Sequence, residues 1–251
     1  MIFEQNGREG PAIIVPLAGT TAEVIIEEAH AREKAGADVL EFRADFLLAN
    51  HPEMDFETVG RDVLRELFAK TSTPVLFTVR SREQGGEVSL TPFRYRVLLA
   101  TVLDIMMQER LPAERVGIDF EFHSDATPDL ARRATNLGYT PVVSHHDWIE
   151  TPDSEVMYLM LEDMLQIQGA VPKLAVMAHS EEDTQRLLDV TKAVAGQFHR
   201  PLLTIAMGEA GQRSRLEGWK FGSVATFASA GTTTAPGQPT IAQLRTALGR
   251  D

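Results

Sequence analysis

Short apolar runs recur along the whole chain, and each is bounded by polar, glycine or proline residues. Most are apolar on consecutive positions, which is typical of β-strands that are covered on both faces. The chain has eight such runs, and they predict eight buried strands. The runs occupy residues 12–17, 38–42, 74–79, 116–122, 140–145, 173–178, 201–207 and 221–228.

Longer segments with helical periodicity separate these runs, and several carry recognisable helix ends. Thr20 and Glu23 form a capping-box pattern, and Gly36 stands where that helix is expected to stop. Ser180 with Asp183 predicts the start of a later helix. Three further helices are expected to begin with threonine at the N-cap and proline at the first helical position. These pairs are Thr91-Pro92, Thr127-Pro128 and Thr151-Pro152.

The alternation of strands and helices continues without a composition break, a low-complexity tract or a linker. It favours one closed (β/α)8 TIM barrel over an open doubly wound sheet, and 251 residues suit a single barrel. We expect one catalytic domain over residues 1–251, with the glycine-rich connection 208–220 as its weakest unit. Neither G-x-G-x-x-G nor G-x-x-x-x-G-K-[ST] occurs, which argues against nucleotide binding.

The chain is acidic, with 24 Lys and Arg against 36 Asp and Glu and a formal net charge of -12. This balance repels phosphate backbones and anionic headgroups, so we expect neither a nucleic acid nor a membrane partner. The absence of cysteine excludes disulfides and thiolate nucleophiles. The polar first ten residues carry no apolar signal core, and no run reaches about 18 apolar residues, so a cytoplasmic protein is expected.

Polar residues interrupt the pattern where the predicted strands end. In a TIM barrel the active site lies at the C-terminal ends of the strands, so these residues are the candidates for function. An anionic substrate would need a local basic cluster in so acidic a chain. The candidates are Glu41, Arg43, Asp45, Arg80, Asp119, Glu121, His145, His146, Asp147, Met207, Arg213, Arg215, Thr234 and Gln238.

Lys173 opens the sixth predicted strand and has apolar neighbours. Burial would lower its pKa from about 10.4 toward neutrality, and a neutral amine is what a Schiff-base nucleophile requires. The alternative is a lysine at the strand edge whose ammonium reaches solvent at the bottom of the barrel. The residues alone leave both interpretations open.

His146 follows the fifth predicted strand and precedes Asp147, which suits a general base with an ordinary pKa of about 6.5. A hydrogen-bonding loop histidine is the competing interpretation. Because side chains alternate along a strand, only one of His145 and His146 can face the barrel mouth.

Charged residues two apart lie on the same face of a strand. Glu41 and Arg43 can therefore form an ion pair, which would either hold the guanidinium for a ligand or serve as a structural salt bridge. Asp119 and Glu121 are also same-face neighbours. With Glu41 they could bind a divalent metal, although the nearby arginines argue against it.

Three arginines are candidates for bidentate capture of a carboxylate: Arg80, Arg213 and Arg215. Arg80 ends an apolar strand, which favours a functional role. Arg213 is expected to be an ordinary surface arginine.

Taken together, the motifs resemble those of the type I 3-dehydroquinate dehydratases in order and approximate spacing. The resemblance covers nearly the whole chain, from residue 12 to the last predicted helix. Several dispersed motifs in one order are much more specific than any lone pattern. The motifs are EFRAD, FTVRS with a following GGE, IDFEF, SHHDW, PKLAVM, SRL, FGS-ATF and APGQ.

The resemblance implies a role for each matching residue. Lys173 matches the imine-forming lysine, His146 the catalytic histidine, and Arg215 the arginine that binds the substrate carboxylate. It also implies 3-dehydroquinate as substrate, a homodimer, and neither a metal nor an organic cofactor. The residues expected around the substrate hydroxyls, or lining and closing the site, are Glu41, Arg43, Arg80, Met207, Phe227, Thr234, Ala235 and Gln238.

Some positions depart from the family pattern. Gln84 stands where other members often carry a glutamate that partners the histidine. A glutamine can orient an imidazole but cannot raise its basicity by charge, so we expect Asp119 to supply the remaining charge near His146. Pro16 replaces a small polar residue in the first strand.

Two other functions stay open. Another Schiff-base barrel, such as a class I aldolase acting on a sugar phosphate, would need a phosphate site, which residues 208–215 and 232–239 could supply. A barrel that binds shikimate-pathway metabolites as a sensor, without turnover, is favoured only by Gln84 and Pro16.

Overall fold

The computed structural model describes residues 1–3, 10–229 and 237–250. Two of the predicted site residues, Thr234 and Ala235, lie outside the described residues.

Parallel strands form a barrel, which confirms the predicted fold. Each strand pairs with its neighbour in the order β7-β6-β5-β4-β3-β2-β1-β8. The seam between the last two strands is closed by a parallel bridge between Leu202 and Ser223, beside which the Val224 N–H donates to the Leu202 carbonyl at 2.9 Å. The strands are β1 Ala12–Leu17, β2 Val39–Arg43, β3 Val75–Thr78, β4 Val116–Glu121, β5 Thr140–Asp147, β6 Val171–Met177, β7 Leu203–Met207 and β8 Ala225–Phe227.

Helices follow the strands and cover the outside of the barrel. A π-helical stretch, Val59–Leu64, joins the third and fourth helices into one continuous segment. The connection after β7 contains only a short helix, as its glycine content predicts. The helices are α1 Ala22–Ala35, α2 Ala44–Asn50, α3 Phe56–Thr58, α4 Arg65–Lys70, α5 Pro92–Gln108, α6 Thr127–Asn136, α7 Ser154–Gln166, α8 Glu181–Phe198, α9 Gln212–Glu217 and α10 Ile241–Ala247. In the part of the chain that is described, no helix has the length and apolar character needed to cross a membrane.

Several predicted helix ends are confirmed. Thr91 caps α5 by accepting a hydrogen bond from the Arg94 N–H. Ser180 and Asp183 form a reciprocal capping box at the start of α8. Gly36 terminates α1 in the left-handed conformation that glycine adopts without a steric penalty.

Other predicted caps are wrong. The N-cap of α1 is Thr21 and not Thr20. Thr127 is the first residue of α6, and its hydroxyl donates to the Glu121 carbonyl instead of capping the helix. Thr151 precedes α7 by three residues because its hydroxyl donates to the Met177 carbonyl at 2.7 Å. In both cases a strand end competes successfully for the threonine hydroxyl.

Two strands are longer than predicted, and this changes the surroundings of the key residues. β5 continues through Asp147, so His146 belongs to the strand and does not follow it. β6 begins at Val171, which places Lys173 in the middle of a buried strand. The extension reflects a long β5–β6 ladder in which Ser144 pairs with Lys173.

The side chains divide into an outer core beneath the helices and an inner core within the barrel. On β7, Leu203, Ile205 and Met207 belong to the inner core, while Ala206 packs in the outer one. This alternation buries both faces of each strand. Ile2 and Phe3 join the lower part of the inner core, so the open end of the barrel is the opposite one.

Candidate active site

A cavity opens at the C-terminal ends of the strands, where a TIM barrel carries its active site. The empty space within the cavity and at its mouth, which is open to solvent, is about 480 Å³. Gly85, Trp148, Ala175 and Ile205 form part of its wall. The predicted site residues that line it are Glu41, Arg43, Arg80, Gln84, His146, Lys173, Met207, Arg215, Phe227 and Gln238.

Lys173 projects into the barrel and is only 3% exposed, so the alternative of a solvent-reaching lysine is wrong. Its Nζ lies 3.3 Å from Asp119 Oδ2 and 3.8 Å from Glu41 Oε1. On its other side Nζ lies 4.8 Å from the centroid of the Phe227 ring. Burial lowers the pKa of Lys173, and Arg80 lowers it further, although Asp119 and Glu41 oppose the shift.

Asp119 is the centre of a buried hydrogen-bond network beneath the cavity. Its Oδ2 accepts from Arg80 Nη2 at 2.7 Å and its Oδ1 accepts from the Ser144 hydroxyl at 2.6 Å. The same hydroxyl accepts from Arg80 Nη1 at 2.8 Å. Burial alone would raise the pKa of Asp119, but Arg80 and Lys173 outweigh burial and lower it. Asp119 is therefore an anion in this site.

Arg43 pairs with Asp45 and not with Glu41, so the predicted Glu41–Arg43 ion pair is wrong. Arg43 Nε and Nη2 donate to the two carboxylate oxygens of Asp45 at 2.8 and 2.7 Å. This bidentate geometry is the strong form of such a pair. Glu41 instead accepts from the Thr78 hydroxyl at 3.1 Å.

His146 faces the cavity, and its pKa lies well below the ordinary value. Burial is the main cause, and the cations Arg80, Lys173 and Arg43 add to it. The imidazole is therefore neutral at neutral pH, which a general base requires. Among the described residues, its Nδ1 has no hydrogen-bond partner.

The expected partners of His146 act elsewhere. Gln84 Oε1 accepts from the backbone N–H of His146 at 2.8 Å, so it fixes the strand and does not orient the ring. Asp119 accepts hydrogen bonds from Arg80, Ser144 and Lys173. Its negative charge is therefore paired with Arg80 and Lys173, and not with His146 as expected.

His145 faces away from the cavity, as side-chain alternation requires. Its ring packs edge-on against His123, with the centroids 4.7 Å apart. Burial and His123 lower the pKa of His145. Of the two adjacent histidines, only His146 lines the cavity.

The two arginines of α9 have different surroundings. Arg215 is 2% exposed and lines the cavity, and burial lowers its pKa to about 10. At that pKa it stays protonated at neutral pH. Arg213 lies at the surface and pairs with Glu181 and Glu217.

Sequence reasoning missed Trp148, Gly85 and Ser144. A Cβ on Gly85 would lie 2.2 Å from the Trp148 ring, and Gly85 has a φ of +84°, so glycine is required twice over. The signals were the glycine pair after Arg80 and the tryptophan that ends SHHDW. Ser144 is two residues before His146, which places both side chains on the inner face.

The metal-site alternative from the sequence does not match the arrangement of its carboxylates. In the ranges that the structure describes, no three His, Asp or Glu side chains are grouped as metal ligands. Glu41 accepts from a threonine hydroxyl, Asp119 pairs with arginine and lysine, and Glu121 accepts from a backbone N–H.

Comparison with known proteins decides the family. The model of the family described as Type I 3-dehydroquinase matches residues 13–250. The chain belongs to this family. The family predicted from the motifs is thus confirmed, and with it the enzyme class, a hydro-lyase.

Relatives match along nearly the whole chain. The 3-dehydroquinate dehydratase of Salmonella paratyphi B is 35% identical over 244 residues, covering 96% of this chain and 93% of the relative. The crystal structure of 3-dehydroquinate dehydratase from Geobacillus kaustophilus is 31% identical with a TM-score of 0.86, covering 96% of this chain and 91% of that one. The type I enzyme from Clostridium difficile, solved with covalently modified comenic acid, is 31% identical with a TM-score of 0.86. The match covers 97% of this chain and 92% of that one.

Proposed function

We propose that this protein dehydrates 3-dehydroquinate to 3-dehydroshikimate through a covalent imine on Lys173. One observation carries the proposal: a lysine of lowered pKa is buried in the barrel cavity, and a neutral histidine on the adjacent strand shares that cavity. Buried lysines of lowered pKa are suited to Schiff-base chemistry. The family assignment names the substrate.

In the first step the neutral amine of Lys173 attacks the C3 ketone. Loss of the ketone oxygen as water, with uptake of one proton, leaves a protonated imine between Lys173 and C3. This iminium withdraws electrons and makes the C2 proton acidic.

In the second step His146 removes the C2 proton and becomes an imidazolium, and the substrate becomes an enamine. The enamine expels the C1 hydroxyl, which takes the proton from His146 and leaves as water. The double bond formed between C1 and C2 is that of the product. Water then hydrolyses the imine and restores Lys173.

The remaining side chains would hold the ring while the proton is transferred. Arg215 would pair with the substrate carboxylate, and Met207 and Phe227 would pack against the ring. Fixing the substrate places the C2 proton within about 3 Å of the base. The residues proposed for the substrate hydroxyls are Glu41, Arg43, Arg80 and Gln238. From the family resemblance alone, Thr234 would add a hydroxyl to the site and Ala235 would line or close it.

Borohydride trapping tests the proposal. The protein is incubated with 3-dehydroquinate, reduced, and its intact mass and peptides are measured. We expect one stable adduct, on Lys173, and neither adduct nor turnover in Lys173→Ala. Lys192→Ala, a change at an exposed lysine of α8, is the matched control and should behave as wild type. Absence of the adduct, or turnover by Lys173→Ala, would refute the mechanism.

His146→Ala separates the two steps. Without the base we expect turnover to be lost while some imine is still trapped. Full activity in His146→Ala would refute its role, and the same change at His145, which lies outside the cavity, should leave turnover intact.

A class I aldolase, the alternative among Schiff-base barrels, is disfavoured by the family assignment. It would act on phosphorylated sugars, so incubating these and 3-dehydroquinate with the protein and following both by NMR separates the two. The covalently modified comenic acid in the Clostridium difficile relative supports a covalent route. A metabolite sensor is distinguished by the absence of turnover.

We also propose that each chain forms a single catalytic domain over residues 1–251 and that two chains form a cytoplasmic homodimer. The reaction would need no metal or organic cofactor, and we expect no nucleic acid partner. The resemblance supports the dimer, and the acidic charge of -12 disfavours polyanionic partners. Sedimentation equilibrium measures the oligomer, and turnover that survives a chelator would support the metal-free reaction.

A further inference from the structure

We propose that Asp119, oriented by Ser144, is the counter-ion that keeps the Lys173 nitrogen protonated after that nitrogen has become an iminium. The inference rests on the proposed function, because it concerns the imine that Lys173 would form. Asp119 would act directly on the reacting nitrogen, and Ser144 would be a positioning residue.

The two oxygens of Asp119 have different partners, and this fixes the carboxylate. Oδ1 accepts from the Ser144 hydroxyl at 2.6 Å, which leaves Oδ2 to face Lys173 Nζ at 3.3 Å. Arg80 closes the network by donating to Oδ2 and to the Ser144 oxygen. Ser144 is fully buried and stands opposite Lys173 in the β5–β6 ladder. Rotation of the carboxylate would break these buried hydrogen bonds together.

A positive nitrogen at this position needs such a partner. Arg43, Arg80 and Arg215 line the same cavity, and burial disfavours any further cation. An imine that loses its proton is a poor electron sink, so the C2 proton would not become acidic. A fixed anion beside the nitrogen opposes that loss.

The total positive charge on the Lys173 nitrogen and His146 stays the same through the proposed reaction, so one permanent anion can balance it throughout. Lysine as an ammonium plus a ketone gives an iminium plus water, so the nitrogen carries one positive charge before and after. When His146 takes the C2 proton, the enamine is neutral, and departure of the C1 hydroxyl with that proton restores the iminium. Asp119 exchanges no proton in this sequence, because its oxygens already accept from Ser144, Arg80 and Lys173.

Other groups also face the lysine, but Asp119 is the nearest carboxylate to it among the described residues. Its Oδ2 is 3.3 Å from Nζ, against 3.8 Å for Glu41 Oε1. The titratable and charged groups around Lys173 are Glu41 and Arg43 on β2, Arg80 after β3, Asp119 on β4, His146 on β5 and Arg215 on α9.

The test is the pH dependence of imine trapping. Sodium cyanoborohydride, which reduces the protonated iminium, is added with 3-dehydroquinate across a pH series, and the rate of adduct formation is followed by mass. The trapping rate should fall at alkaline pH, because the iminium loses its proton there. This fall is the alkaline limb of the pH profile. In Asp119→Asn this limb should move to lower pH by about 1 to 3 pH units, because an opposite charge has been removed.

Ser144→Ala keeps the charge of Asp119 but removes the hydrogen bond that holds its carboxylate. The alkaline limb of this variant should therefore also move to lower pH, by less than in Asp119→Asn. Ser223→Ala is the matched control: it removes a buried hydroxyl at the other end of the barrel, bonded to the Ala225 carbonyl, and should leave the limb in place. Urea unfolding checks that each variant is folded. If Asp119→Asn does not fold, Ser144→Ala decides.

An unmoved limb in the folded variants, or an equal shift in Ser223→Ala, would overturn the inference. A wild-type protein that forms no adduct at Lys173 would instead refute the proposed function. The two failures are therefore distinguishable.

Discussion

The cavity wall has a charged half and an apolar half, and Lys173 lies between them. The charged half comes from β2 to β5 and the apolar half from β6 to β8. Lys173 Nζ is 3.3 Å from Asp119 on one side and 4.8 Å from the Phe227 ring centroid on the other. The charged half fixes hydrogen-bonding groups, and the apolar half excludes water, so that each remaining charge has a larger effect.

The arginines of the two halves differ in how their surroundings shift the pKa. Arg43 and Arg80 are bonded to the protein's own carboxylates, which raise the pKa of each against the effect of burial. Arg215, beside the apolar half, has its pKa lowered by burial to about 10. The first two arginines are positioned by protein carboxylates, and Arg215 is the cation that we propose for the substrate carboxylate.

Asp45→Asn should disrupt the charged half most. It leaves Arg43 buried with its bidentate partner neutralised, so we expect a loss of about 3 to 5 kcal/mol in the free energy of unfolding. Urea denaturation measures the loss. Asp129→Asn, which breaks an exposed pair with Arg132, should change stability by less than about 1 kcal/mol. Equal losses in the two variants would contradict the importance of the buried pair.

Arg215→Ala should remove the cation next to the apolar half. Losing a desolvated partner of the substrate carboxylate should reduce kcat/KM by a factor corresponding to about 2 to 5 kcal/mol, mainly through KM. Steady-state kinetics measure the change. Arg213→Ala, two residues away on the same helix but at the surface, should retain kcat/KM, and a comparable loss there would reject the assignment.

The fold was predictable because consecutive apolar positions indicate strands buried on both faces, and their number indicates a closed barrel. The site was predictable for a related reason. A parallel barrel brings all the C-terminal strand ends together, so Glu41 on β2 and Lys173 on β6 share one cavity although they are distant in sequence.

The choice of partners within the site was not predictable. Glu41 and Arg43 share a face, but the chain turns into α2 directly after Arg43, which brings Asp45 within reach. Asp119 contacts Lys173 through the stagger of three neighbouring strands, and no single strand's sequence encodes that stagger.

Phe227→Leu tests how the apolar half affects the pKa of Lys173. The aromatic face stabilises the ammonium by about 0.5 to 2 kcal/mol, so its loss should lower the pKa of Lys173. The acid limb of borohydride trapping, where the amine becomes neutral, should then move to lower pH by about 0.4 to 1.5 units. Phe77→Leu, in the outer core, should cost stability without moving the limb. A shift in both variants would indicate a general packing effect.

Trp148→Phe should have the smallest effect of these changes. It tests the cavity wall at the mouth, where the charged and apolar halves meet. The indole Nε1 is buried and, among the described residues, has no acceptor, so a bound substrate or water oxygen would be its partner. Removing this donor should raise KM by a factor corresponding to about 0.5 to 1.5 kcal/mol and leave kcat nearly unchanged.

The same change should lower the free energy of unfolding only through the packing lost with the smaller ring, because the N–H has no acceptor among the described residues. A large fall in stability with an unchanged KM would contradict a role of the N–H in substrate binding. The chain has only two tryptophans, so Trp219→Phe leaves Trp148 as the sole source of tryptophan fluorescence. Its emission should then change as substrate fills the cavity, and a constant emission at saturating substrate would place Trp148 outside the binding contact.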